Sequence, residues 1–345
     1  MNGMMTRRAW LCSTASACAA IAMAGCGAHE VSGGARAGSG SPADAMRIAS
    51  LKGPTSIGLV PLMAWAKDGK VPGSPAFSLM GSIEEAAPRL LRGDADIALL
   101  PANMASVLYA KTGGGIAALN VNTLGVLSVV AGDGRVSELA DLAGATVHLA
   151  GKGAIPEYTV RYLLDAAGLS DAVRLEFKSA PDEVAALLVE DPDRIGVLPE
   201  PFATAACARS ERLAPRIDLA EAWERAAGAS GSKLVTGVTV VRRAFARDHP
   251  EAVRAFAAAH RASAAEVVRH PDAWAQAVAD AGIVAKAELA ARAIPRCNIV
   301  CLEGAEMRDA LRGYLGVLYD ADPASVGGSL PGEDFYLDVE AGEGA

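Results

Sequence analysis

Apolar residues along this chain fall into two kinds of pattern. Short unbroken runs of Val, Ile, Leu and Ala stop at glycine, proline or polar residues and read as buried strands. Between them, apolar positions three and four apart mark amphipathic helices. The pattern predicts strands over 46–51, 77–80, 97–100 and 116–121. Helices run through Leu59, Leu62 and Trp65, through Ala87 and Leu91, and on from Asn103, with Thr55 or Ser56 as the cap of the first. An apolar run over 124–130 crosses to a second set, with strands over 146–149, 175–177 and 195–198 and helices through Tyr158–Leu163 and 182–189. A β-branched strand over 234–241 returns the chain to the first set. The rest reads as helical: His249-Pro250 and His270-Pro271 open two helices, and Met307, Leu311, Leu315 and Leu318 stripe a third. Strands alternating with helices predict an α/β fold with mostly parallel sheets and helices on both faces.

The two sets repeat one another. Ile97-Ala98-Leu99-Leu100-Pro101-Ala102-Asn103 is matched 98 residues later by Ile195-Gly196-Val197-Leu198-Pro199-Glu200-Pro201. The same offset sets Gly53 opposite Gly151, Glu85 opposite Glu183 and Leu90 opposite Leu188. Two lobes of similar build follow, one from 45–130 completed by 234–345, the other from 131–233.

Ligands of open α/β sheets sit beyond the carboxyl ends of the strands, which selects four loops. Gly53-Pro54-Thr55-Ser56 offers hydroxyls and N–H groups suited to an anion, and Gly151-Lys152-Gly153 adds a positive charge. Asn103 and Glu200 follow the two Leu-Pro corners, where Glu200 would accept from an amino or ring N–H. Asn122, in a polar cluster with Asn120 and Thr123, and Tyr158, just inside a helix, complete the candidates. Each has a plain structural reading beside the functional one, as a tight turn, a helix cap or core packing. The five histidines lack metal-ligand spacing, and no nucleophile elbow or full dinucleotide fingerprint is present. No catalytic residue, metal or cofactor is therefore expected.

Charge narrows the partners. The chain carries a net −8, and from Cys26 onward thirty basic residues face forty acidic ones, a net of −10. That disfavours nucleic acid, as does an aromatic content of 5%, too low for base stacking. Residues 1–25 read as a signal peptide: Thr6-Arg7-Arg8 resembles a twin-arginine signal, and a short apolar stretch ends at Met23-Ala24-Gly25-Cys26. That ending resembles a lipobox, with Cys26 lipidated; an ordinary secretory signal with an incidental cysteine is the alternative. Residues 26–44, rich in Gly, Ser and Ala, read as a flexible tether. Cys207, Cys297 and Cys301 remain beyond it, read as buried free thiols or one Cys297–Cys301 disulfide.

The lipobox, the tether, the Gly53-Pro54-Thr55 loop, Gly93-Asp94-Ala95-Asp96 leading into a strand and the Glu200-Pro201-Phe202 corner together resemble bacterial ABC-transporter solute-binding lipoproteins of the nitrate, sulfonate, taurine and thiamine-precursor group. The resemblance implies a two-lobed type II periplasmic-binding-protein fold over about 46–335. It implies a monomer, lipid-anchored outside the cytoplasmic membrane, that closes on a small polar or anionic solute and docks on an ABC permease. It makes the Thr55-Ser56 loop, Asn103, the Gly151–Gly153 loop and Glu200 contacts of that solute. The same fold hosts enzymes, among them ones of menaquinone synthesis, and a sensing lipoprotein without a transport role is a third alternative.

Overall fold

A computed structural model describes residues 45–338, apart from Asp133 and Arg135. The expected signal peptide, the tether and Cys26 lie outside the described residues. Strand β1 (Arg47–Leu51) leads into α1 (Pro54–Ile57) and α2 (Val60–Lys67), followed by β2 (Ala76–Met80), α3 (Ile83–Arg92), β3 (Ile97–Pro101), α4 (Ala102–Lys111) and β4 (Ile116–Leu124). The chain then changes sheet through β5 (Leu127–Ala131). Next come β6 (Thr146–Ala150), α5 (Ile155–Ala166), β7 (Arg174–Lys178), α6 (Pro181–Glu190), β8 (Ile195–Pro199), α7 (Phe202–Arg209), β9 (Ala214–Asp218) and α8 (Leu219–Ala227). The return is β10 (Val235–Arg242), followed by α9 (Arg243–Asp248), α10 (Pro250–Arg269), α11 (Pro271–Asp280), α12 (Ala287–Ala293), β11 (Ile299–Leu302) and α13 (Gly304–Ala321).

Two sheets result, ordered β11-β4-β10-β3-β1-β2 in lobe 1 and β7-β6-β8-β5-β9 in lobe 2. The three leading strands of each run parallel, as the strand–helix alternation requires. The crossing strands β10 and β5 run antiparallel to their neighbours, so both sheets are mixed. The repeat is real in structure: α3 and α6, and likewise β3 and β8, begin and end 98 residues apart. The change of sheet falls at Gly125-Val126, a few residues before 130.

Local chemistry explains the elements. α3 carries Glu84 and Glu85 in its first turn, Arg89 and Arg92 in its last, and Gly93 in the left-handed conformation at its end. Acids at the start and bases at the end complement the helix dipole. α6 opens instead on Pro181 with Asp182 and Glu183 behind it. Neither Thr55 nor Ser56 caps α1: Pro54 starts that helix, both residues lie inside it, and Gly53 is the cap. Proline at the first position needs no N–H partner, so the helix begins two residues earlier than a Thr55 cap would set it. β9 and β11 are strands that the apolar pattern does not predict. Cys207, Cys297 and Cys301 are all free thiols.

Strand side chains alternate between two cores. In β3, Ala98 and Leu100 face the core under α3 and α4, while Ile97 and Leu99 face the core shared with Leu59, Leu62 and Phe256. The first of these cores continues into lobe 2 through Val129, Val147 and Val197. α13 joins the two halves: its Met307, Leu311, Tyr314, Leu315 and Leu318 are buried in that same core. Among the described residues no helix is long and apolar enough to cross a membrane.

Candidate binding cleft

Strand register locates the cleft. β3 and β4 both run antiparallel to β10, so Leu124 ends at the same edge of sheet 1 as Pro101. β5 starts beside Pro199, the end of β8, through the pair Leu127 and Pro199. The crossing at Gly125-Val126 therefore joins the carboxyl-end edges of both sheets. The loops after β1, β3, β6 and β8 gather about it, and these are the four loops that open α/β sheets use for ligands.

The expected residues divide sharply. On the lobe 1 side Thr55 is buried, and a Cβ on Gly237 of β10 would collide with both Thr55 and Asn122. A glycine in a strand here admits close approach by two polar side chains. Asn122 is buried too, donating to Thr239 Oγ1 at 3.1 Å and accepting from Thr123 Oγ1 at 2.9 Å. Ser56 is fully buried, hydrogen-bonded to Ser50 Oγ and to the Leu51 carbonyl, and holds the turn from inside. Asn103 donates to the carbonyl of Ser325, 3.3 Å away, in the turn that follows α13.

On the lobe 2 side Gly151 and Gly153 both have left-handed backbone, φ 86° and 71°. The Gly153 N–H is taken by Glu157 Oε2 at 2.7 Å. Burial disfavours the Glu157 carboxylate, but this bond and Arg161 hold it below its ordinary pKa. Lys152 is exposed, its ammonium 5.9 Å from the centre of the Phe177 ring. The Tyr158 hydroxyl has two acceptors for its one proton, Asp322 Oδ2 at 3.0 Å and the Gly153 carbonyl at 3.1 Å. Its own burial, then Asp322, raise its pKa.

Glu200 differs most from expectation. It is 2% exposed, and each carboxylate oxygen is engaged: Oε1 by Arg296 Nε at 2.7 Å, Oε2 by the Thr204 N–H at 3.2 Å. Pro201, not Glu200, is the residue before α7, and the Glu200–Pro201 peptide is cis. The arrangement makes Glu200 a partner for protein groups. Arg296, which the hydropathy pattern does not single out, also lies 3.4 Å from Ser128 Oγ in β5. Of the expected side chains, the Thr55 hydroxyl and the Lys152 ammonium have no protein hydrogen bond among the described residues, and Asn103, bonded through Nδ2, keeps its Oδ1 open. A signal for Gly237 was present, a glycine inside a β-branched run; Arg296 had none.

A concavity of about 790 Å³ lies at the opposite end of sheet 1 and is lined by Arg47, Asp96, Arg242, His249 and Phe256. There Asp96 receives Arg47 at 2.8 Å and Arg242 at 2.6 Å. Burial opposes its ionisation, yet the two guanidinium groups hold the carboxyl below its ordinary pKa. This triad anchors β1 to β3 and β10 and explains the Gly93-Asp94-Ala95-Asp96 run as structural. Among the described residues no cluster of histidine, cysteine and carboxylate groups is placed to hold a metal ion.

Solved structures share this architecture. An ABC transporter protein from Parabacteroides distasonis is 24% identical, with TM-score 0.71 over 86% of this chain and 99% of that one. The periplasmic aliphatic sulphonate binding protein SsuA from Escherichia coli is 17% identical, with TM-score 0.64 over 81% and 88%. The alkanesulfonate-binding protein SsuA from Xanthomonas axonopodis pv. citri, bound to MOPS, is 13% identical, with TM-score 0.56 over 84% and 95%. At these identities the likeness is one of fold: the chain has the two-lobed architecture of type II periplasmic binding proteins. No curated protein sequence matches the chain. Residues 59–291 match the family described as menaquinone biosynthesis, about two thirds of the sequence, and the chain belongs to that family.

Proposed function

We propose that this protein is the extracytoplasmic solute-binding component of an ABC importer. It captures one small polar or anionic organic solute between its lobes and delivers it to a permease. The observation that carries the reading is the convergence of four strand-end loops from two duplicated lobes on one crossing. A ligand that touches both lobes favours the closed arrangement, and closure is a state a permease can recognise.

The Thr55 hydroxyl and the Lys152 ammonium are the groups left to meet an anionic part of the solute. Glu200 is spoken for by Arg296, so an amine-bearing solute draws no support from it. We further assign residues 1–25 to an export signal, Cys26 to lipid attachment and 26–44 to a tether, which would hold a monomer on the outer face of the membrane. The proposed lobes, expected as 45–130 with 234–345 and 131–233, take their first boundary at Gly125-Val126, because β5 belongs to the second sheet.

The family's description favours a second reading, an enzyme acting on a small metabolite in the same cleft. Thermal unfolding of the chain from Asp44 onward, against sulfonates, nitrate, thiamine precursors, riboflavin, amino acids and metal ions, tests the first. A solute at a hundred times its dissociation constant adds about 2.7 kcal/mol, a shift of several degrees. Lys152→Ala should reduce that shift for an anionic hit. A flat panel on folded protein counts against solute capture of this chemistry.

A further inference from the structure

Two side chains of lobe 2 leave their own lobe to bond with the C-terminal third of the chain. The first is Glu200. Its partner Arg296 stands just before β11, which pairs antiparallel with β4, so Arg296 sits at the carboxyl-end edge of sheet 1. Asn298, two residues on, donates to the Gly125 carbonyl at 2.5 Å, and its own carbonyl accepts from the Leu124 N–H at 2.9 Å. Arg296 is thus mounted on lobe 1 at the crossing and reaches Glu200 and Ser128 in lobe 2. The carboxylate is almost fully enclosed, while the arginine side chain is 38% exposed.

The second is Tyr158, at the start of α5. Asp322, which it meets, ends α13, and its other oxygen caps the following turn through the Ala324 N–H at 3.0 Å. That turn is fastened to lobe 1: Ser325 accepts from Asn103, and the Val326 carbonyl accepts from Ser106 Oγ at 2.7 Å. One short turn therefore holds the first turn of α4 in one lobe and the first turn of α5 in the other.

We propose that these two bridges, Glu200–Arg296 and Tyr158–Asp322, form a two-point latch between lobe 2 and the C-terminal third that sets how far the empty cleft opens. The latch acts without a solute, so it stands or falls separately from the importer reading. A solute needs to supply only the remaining closing free energy, and a weaker latch lowers its apparent affinity by the fraction of closed protein lost.

The apolar cores of the described residues run from Met46 to Leu337, and a chain beginning at Asp44 keeps all of these side chains. Small-angle X-ray scattering of that chain, without solute, is the test. Tyr158→Phe removes one hydroxyl. Glu200→Gln keeps an acceptor for the Thr204 N–H but discards the charge. Arg296→Lys keeps the charge. The expected result is a larger radius of gyration in each of the first two and the largest in the pair combined, a rise of about 1 Å on the roughly 19 Å of a compact chain of this length. Arg296→Lys should stay near wild type. The same radius in the double variant as in wild type, with unchanged circular dichroism, overturns the latch. If Glu200→Gln does not fold, Tyr158→Phe decides alone: an unchanged radius overturns the proposal.

Discussion

The Leu100-Pro101 and Leu198-Pro199 corners end strands that match in length and offset, yet the residues that follow them are held by very different bonds. After the first, Asn103 gives a neutral hydrogen bond to the Ser325 carbonyl. After the second, buried Glu200 meets Arg296. Both partners belong to the C-terminal third, which is not part of the repeat. The duplicated framework thus positions two equivalent loops, and the unduplicated remainder makes them unequal. The repeat fixes the strands that lead into the two loops, while the roles of the loop side chains follow from what the rest of the chain brings to each.

The largest expected break in the comparison is Glu200→Ala. It strands a guanidinium and the Thr204 N–H, and should cost about 3 kcal/mol of unfolding free energy in urea titration. Asn103→Ala, at the equivalent corner, should cost about 1 kcal/mol or less. Equal losses would mean that the two corners are held alike.

The lobes also differ in their buried histidines. His260, under sheet 1, is fully enclosed and stacked on Phe256; burial alone brings its pKa down to about 4. Its Nδ1 lies 3.4 Å from Asn120 Nδ2. The unfolded chain takes up the proton first, so the contribution is intact above the ordinary imidazole pKa and lost as the pH falls towards 4. At pH 5 the loss should be about 2 kcal/mol, and His260→Leu should abolish it in a pH series of melting curves. His148 in lobe 2 is lowered by burial as well, but Glu176 opposes the shift, so His148→Leu should remove less of the acid sensitivity.

A smaller contrast separates the two glycine loops. Gly151 has φ 86° and a Cβ there would press on Pro156, so Gly151→Ala should cost about 1–2 kcal/mol. Gly53 is extended at φ 169° with open space around it, and Gly53→Ala should change stability by a few tenths at most. Equal costs would remove the distinction between the loops.

Much of the framework was legible. Apolar runs and proline corners gave the leading strands, and a shared offset gave the two lobes. β9 was hidden because Ala214–Asp218 carries a proline and two charges, and β11 because Ile299–Leu302 is too short to show a period. The site was half legible. Local sequence located the loops, because strand-end turns need glycine, proline and small polar residues. It did not reveal what occupies Glu200, Asn103 and Tyr158, because Arg296, Ser325 and Asp322 are distant in sequence and carry no local signature. The open groups, Thr55 and Lys152, emerged only once the bonded ones were known.

Native mass spectrometry of the chain from Asp44 onward, incubated with the pooled solutes, tests the central claim most directly. The account predicts a monomer carrying one solute, at the mass supplied, with occupancy reduced in Lys152→Ala. A bound mass that differs from every supplied solute would mean chemical conversion and the enzyme reading. Folded protein with no adduct from any of them would contradict capture of a small polar or anionic solute.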